Sequence, residues 1–238
     1  MAEFLLVHGA WHGAWCWERT AALLREAGHG VTAIDLPSHG DDPTPASGVT
    51  LDHYVQRIGE ALATIGEKPI VVGHSMGGVA ITAAAEAHAD RIAKLVYLTA
   101  FLPRDGESLL ALEGRNPRPS VPPALVIDES NGTTVLDDAR IVDLFFHDCS
   151  AEDQAWATSR LTPQSLAPLT AELSLTAERF GSIPRAYIEC TDDRAISIEL
   201  QRDMYTTSGV DTVVSLDASH SPFLSMPDQL ASALAGLA

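Results

Sequence analysis

Short apolar runs recur along the chain at residues 4–7, 31–34, 69–72, 95–98, 186–188 and 212–216, and most are followed by a longer stretch with helical spacing. This alternation constrains the fold more than any other feature. Continuous apolar runs suit parallel strands covered on both faces. Residues 17–27, 51–66, 76–88, 197–207 and 227–237 carry the helical patterning. In the second of these, Leu51, Val55, Ile58, Leu62 and Ile65 recur every three or four residues, with Thr50 available as N-cap. Strand–helix alternation implies right-handed crossovers and a parallel sheet. The expected class is therefore α/β, a six-stranded, mostly parallel sheet with flanking helices.

One region breaks the pattern. From residue 103 to 182 no strand–helix alternation persists, and prolines recur at 117, 119, 122, 123, 163 and 168. Such a stretch is too long for a simple loop. It reads as an inserted, largely helical cap over the strand ends, with residues 1–102 and 183–238 forming the core.

Composition narrows the function. The 238 residues include 32 acids against 15 bases, a formal charge of −17, with no basic cluster. A phosphate backbone is repelled by such a surface, so nucleic acid is not an expected partner. The amino terminus lacks a basic n-region and Gly9 interrupts its apolar run, so no signal peptide is expected. No stretch approaches the roughly 20 apolar residues that span a bilayer, and no membrane partner is expected. The three cysteines, Cys16, Cys149 and Cys190, are too few and scattered for a disulfide framework, which suits a cytoplasmic protein. Cys190 ends a buried run and reads as an inert core thiol.

The chemistry is concentrated at residues 71–78. They hold a G-x-S-x-G pattern, Gly73-His74-Ser75-Met76-Gly77, directly after an apolar run and before a small-residue helix. In that setting a strained strand-to-helix turn lifts the serine hydroxyl above the sheet. A serine needs a base to take its proton. Of the nine histidines, His220 follows the last strand, where functional groups of parallel sheets gather; His39, also at a strand end, is the second choice. His8 and His12 have i, i+4 spacing, but Gly9 and Gly13 break that stretch, so a loop is expected rather than a metal site. The imidazole needs a carboxylate to fix its tautomer. Asp192 and Asp193 both follow a strand and lie between Ser75 and His220, while Asp105 follows the fourth strand and competes with them. Oxyanion donors are expected from the Met76 amide and from the loop His8-Gly-Ala-Trp11, with the Ala10 amide foremost. No cofactor or metal is called for.

At these residues the chain resembles the plant methylesterase, salicylate-binding protein and hydroxynitrile lyase group of α/β hydrolases, and its bacterial esterase relatives. The resemblance is carried by FLLVHGAWHGAWCWERTAALLREAGHGVTAIDL, VVGHSMGG, KLVYLTAFLP, CSAEDQAWATSRLTPQSL, ERFGSIPRAYIECTDDRAISIELQRDM and DASHSPFLSMPDQL. Residues 105–140 do not match. The resemblance implies an α/β-hydrolase fold with Ser75, Asp193 and His220 as triad, and Ala10 and Met76 as oxyanion donors. It selects Asp193 because the group's acid stands immediately before the segment matching Arg194-Ala195-Ile196. Phe101 and Trp11 are then expected to border the substrate pocket, and a homodimer is consistent with the resemblance.

Three functions follow from these expectations. The first is a serine carboxylesterase acting on a small ester, a methyl or aromatic ester among them. The second is cyanohydrin cleavage by the same three residues. The third is a non-catalytic small-ligand receptor. The plant lyases of this group carry a lysine directly after the catalytic histidine and a threonine near the oxyanion loop. Here those positions hold Ser221 and Gly9, which favours ester hydrolysis.

Overall fold

In a computed structural model describing residues 1–210 and 212–238, the apolar runs become six parallel strands. They are β1 (Glu3–Val7), β2 (Gly30–Ile34), β3 (Ile70–Ser75), β4 (Lys94–Ala100), and two later strands, Arg185–Cys190 and Thr212–Leu216. Between β4 and Arg185 the chain leaves the sheet and forms three short strands, β5 (Leu125–Asp128), β6 (Thr133–Leu136) and β7 (Gln164–Ser165), so the last two core strands are β8 and β9. The large sheet has the order β2-β1-β3-β4-β8-β9. Its centre is dry: all six residues of β3 and the last six of β4 are buried, as the continuous apolar runs require. β9, at the edge, is mostly exposed.

The helices of the core are α1 (Glu18–Glu26), α2 (Leu51–Thr64) and α3 (Gly77–His88), with three more among the described residues after β8. Thr50 caps α2 in a reciprocal box with His53, whose Nδ1 lies 3.0 Å from the Thr50 amide. Strand order reverses between β1 and β3: the chain runs outward from β1 to β2, then returns to the other side of β1. In open parallel sheets the crevice at such a reversal, beyond the carboxyl ends of the strands, is where ligands collect. Here that crevice receives the loop after β1 and the end of β3.

The excursion between β4 and β8 contains α4 (Leu109–Glu113), α5 (Asp138–Ile141), a π-helical turn (Val142–Phe146), α6 (Ala151–Thr158) and α7 (Ala167–Thr170). It also contains an antiparallel sheet in the order β5-β6-β7, which the expectation of a largely helical insert does not include. The physical cause is a tight turn between two short β-branched runs. Asp128 Oδ1 accepts from the amides of Ser130 at 3.0 Å and Asn131 at 3.2 Å, and Gly132 takes φ +63°. The insert is fastened over the crevice through Trp11, whose carbonyl accepts from the Thr162 amide at 2.9 Å and whose indole donates to the Thr134 carbonyl at 3.1 Å. Beyond β8 follow α8 (Ile198–Thr207), α9 (Pro222–Ser225) and α10 (Pro227–Gly236), with α10 packed on α1.

Candidate active site

β3 ends in Ser75, which holds φ +54°, a left-handed conformation that costs a non-glycine residue about 1–3 kcal/mol. The surroundings leave the chain little choice. A Cβ on Gly77 would lie 2.5 Å from the His8 carbonyl oxygen, and one on Gly78 would lie 2.2 Å from the Phe101 carbonyl oxygen. Only glycine lets α3 start this close to β1 and β4. The β3–β4 register slips between His74 and Ser75, and Thr99 opposite takes φ +34°. The loop after β1 presses on the serine from the other side, for a Cβ on Gly9 would stand 2.8 Å from Ser75 Cβ.

The loops after β8 and β9 bring in the other two residues. His220 Nδ1 donates to Asp193 Oδ2 at 2.7 Å, with both side chains buried. That bond places the proton on Nδ1 and leaves Nε2 with its lone pair. Asp193 is held in turn. Its Oδ1 accepts from the amides of Ala195 at 2.6 Å and Ile196 at 2.9 Å, and its Oδ2 also accepts from the Thr99 hydroxyl. Asp192 turns away and bonds His147 Nε2 at 2.9 Å. Asp105 accepts from the Leu175 amide at 2.9 Å, inside the insert's own turn. His39 lies among Thr162 Oγ1, at 2.9 Å, and the Tyr54 hydroxyl, at 3.1 Å.

The remaining histidines near the crevice are structural and neutral. His74 Nε2 donates to the His220 carbonyl at 2.8 Å, anchoring the backbone of that residue. His8 and His12 donate from Nδ1 to the carbonyls of Gly9 and Ala10, each at 2.8 Å. Burial pushes His8 down to about 4 and His12 down to about 3, and pulls His39 and His74 well below the usual imidazole range. Among the described residues, no group of three His, Cys, Asp or Glu side chains is placed to hold a metal ion.

Beside Ser75 lies a cavity of about 100 Å³, walled by Ala10, Trp11, Met76, Phe101 and Phe145 among others. Ala10 and Met76, the expected oxyanion donors, thus flank the serine from β1's loop and from the start of α3. Trp11 and Phe101 border the cavity as well.

A family model described as an alpha/beta hydrolase family matches residues 4–233, nearly the whole chain. The chain belongs to the α/β-hydrolase family. Among similar proteins, salicylic acid-binding protein 2 of Nicotiana tabacum is 35% identical, over 99% of this chain and 96% of its own. The pyrethroid hydrolase of Sphingobium wenxiniae is also 35% identical, over 100% of this chain and 88% of its own. Putative methylesterase 11, chloroplastic, of Arabidopsis thaliana is 37% identical, but this chain spans 62% of that relative's length. Among solved structures, polyneuridine aldehyde esterase superposes with a TM-score of 0.90 at 30% identity, covering 100% of this chain and 99% of the other.

In this α/β hydrolase, several residues that shape the site carry no clear sequence signal. Phe145, from the π-helical turn, stacks on His220 with ring centroids 5.1 Å apart. Asp148 accepts from the Ser219 amide at 2.8 Å and from its hydroxyl, so the insert holds the residue just before His220. Glu113 borders the cavity and is buried, with 7% of its surface exposed. An acid closing the apolar run Leu109-Leu-Ala-Leu112 is the one hint the hydrolase's sequence offers for it.

Proposed function

We propose that the protein is a serine carboxylesterase, with Ser75 as nucleophile, His220 as general base and acid, Asp193 as its orienting carboxylate, and the Ala10 and Met76 amides as oxyanion donors. The observation that carries the reading is the buried His220–Asp193 pair, whose imidazole stacks on Phe145 in the wall of the cavity that Ser75 lines, with Ser75 itself held at φ +54°. Neutral His220 takes the hydroxyl proton as Ser75 Oγ bonds to the ester carbonyl carbon. The carbonyl becomes an oxyanion, which the two backbone amides stabilise. The C–O bond to the alcohol then breaks, and the alcohol leaves with the proton from His220. Water enters, gives its proton to the same imidazole and attacks the acyl carbon; collapse of that second adduct returns the proton to Ser75 and releases the acid. Asp193 keeps the imidazole in the useful tautomer and stabilises its charged form.

The cavity supports a small substrate. Its volume of about 100 Å³ is below the roughly 150 Å³ of an apolar cavity that admits benzene, so a short acyl group fits better than a large one. Among the relatives, a methylesterase and polyneuridine aldehyde esterase favour simple carboxylic esters, methyl esters included. Gly9 also bears on the choice of reaction. With 2.8 Å between a Cβ there and Ser75 Cβ, no threonine hydroxyl fits to hold a cyanohydrin. Three free, buried cysteines support a cytoplasmic location, and among the described residues no helix is long and apolar enough to cross a membrane.

The test is covalent. A fluorophosphonate should label Ser75, the label should vanish in Ser75→Ala, and p-nitrophenyl acetate turnover should fall with it by about 10⁴-fold or more. Retention of most esterase activity in Ser75→Ala would overturn the assignment.

A further inference from the structure

His220 stands on the loop between β9 and α9, and little holds its backbone there. Among the described residues, the one hydrogen bond of that backbone is the carbonyl's, accepted from His74 Nε2 at 2.8 Å. His74 directly precedes Ser75 and is fully buried on β3, an inner strand of the large sheet. One side chain therefore ties the loop that carries His220 to the strand that ends in Ser75. A carbonyl can only accept, so the His74 proton is on Nε2. The ring has no room to turn to another partner. It is enclosed by the rings of His220, Phe223, His12 and Trp17, with centroids 4.6, 4.9, 5.8 and 6.4 Å away.

Packing alone does not account for a histidine here. Its Nδ1 is buried without a partner, on the side of Gly9, where an added Cβ would stand 3.0 Å from it. An unpaired buried acceptor destabilises a fold, and leucine would fill similar space without one. What histidine supplies and leucine lacks is the Nε2 donor. Burial, with the His220 and His12 imidazoles acting in the same direction, holds His74 well below the usual imidazole range. The ring therefore stays neutral, with its one proton on Nε2, wherever a histidine base can work.

We propose that His74 is a positioning residue for the hydrolysis: its bond to the His220 carbonyl sets the stance of the His220 imidazole toward the Ser75 hydroxyl. The proposal rests on the esterase reading of Ser75 and His220. Asp193 holds the imidazole from its Nδ1 side and fixes its tautomer. The His74 bond holds the backbone from which that imidazole hangs, on the side of β3. Without the bond the His220 carbonyl is left buried and unpaired, and the loop shifts to find another donor. A misplacement of about 1 Å in a reacting group can cost about a hundredfold in rate.

The experiment follows p-nitrophenyl acetate hydrolysis, and the rate at which a fluorophosphonate labels Ser75, in His74→Leu, His74→Gln and His74→Asn. Rates are taken per site labelled at completion, so that unfolded protein does not enter them. His74→Leu should lower kcat by about a hundredfold and slow labelling in proportion. Its KM should stay within about twofold of wild type, because His220 serves acylation and deacylation alike. A glutamine side chain brings its amide nitrogen near the place of Nε2, so His74→Gln should recover about a tenth or more of the wild-type kcat. The asparagine amide ends one bond short, near the place of Nδ1, and His74→Asn should remain close to His74→Leu. The proposal is overturned if His74→Leu keeps its kcat per labelled site within about threefold of wild type, or if its loss lies in KM alone. Should His74→Leu fail to fold, equal kcat in His74→Gln and His74→Asn would overturn it as well. A wild-type protein that neither hydrolyses the ester nor takes the label would instead refute the esterase reading, and the proposal with it.

Discussion

Acidification from pH 7 to pH 5 should weaken this protein through the histidines packed under its active site. His8 and His12 are fully enclosed, and burial lowers them to about 4 and about 3. An unfolded chain returns both to roughly 6.5. The unfolded state therefore binds more protons at every pH below about 6.5, so stability is present above that pH and drains away as the pH falls. At pH 5 each histidine favours the unfolded state by about 2 kcal/mol, against about 0.2 kcal/mol at pH 7. Glu113 works in the opposite sense. Its folded value of about 7 lies above the unfolded one, so the folded state binds the extra proton. The same pH change restores about 2 kcal/mol through that group, offsetting one histidine. His39 and His74 are also pulled down and add to the loss. His8, His12 and Glu113 together leave a net loss of about 2 kcal/mol before His39 and His74 are counted, against a usual stability of about 5–15 kcal/mol. The assay is urea unfolding of the wild type and His12→Asn at both pH values. Asparagine can still donate to the Ala10 carbonyl but cannot titrate, so the variant should lose about 2 kcal/mol less on acidification. Equal losses in the two proteins would refute the claim that His12 is held neutral by burial.

Asp193→Asn should lower kcat by about 10⁴-fold with the fold intact, since the amide would favour the wrong imidazole tautomer, whereas Asp192→Asn should cost little because that carboxylate bonds His147. Steady-state kinetics on both variants decides the pair, and the reverse result would move the acid by one residue. Gly9→Thr should abolish most esterase turnover while circular dichroism remains native, because its Cβ would fall 2.8 Å from Ser75 Cβ. Glu113→Gln should gain about 2.5 kcal/mol relative to wild type between pH 5 and pH 8, the free energy of ionising a carboxyl whose folded value is about 7. Unchanged differences in urea unfolding across that range would show that Glu113 is not desolvated.

Much of this architecture is local and therefore legible in the chain. β1, β3 and β4 read as strands because both faces of each are covered, so their apolar residues run without a break. The turn at Ser75 reads from its glycines, since at Gly77 and Gly78 the backbones that follow β1 and β4 leave no room for a Cβ. The small sheet β5-β6-β7 is different. Its paired strands span four residues each, and β7 only two, too short for a period to emerge from a proline-rich background. The choice between Asp192 and Asp193 was equally beyond spacing. Adjacent residues in a loop point different ways, and the amides of Ala195 and Ile196 hold only the second toward His220.

The chain by itself determined the sheet, its helices and the serine turn, because periodicity and glycine placement act over a few residues at a time. Tertiary structure alone decided how the insert closes the site. Phe145 comes to stack on His220, Asp148 to grip Ser219, and Glu113 to border the cavity, across separations of 75, 71 and 38 positions from His220, Ser219 and Ser75 respectively. No local pattern encodes contacts at such distances. They arise when the insert folds back over the carboxyl ends of the strands, and the burial that follows turns an ordinary glutamate and several ordinary histidines into groups with shifted charge.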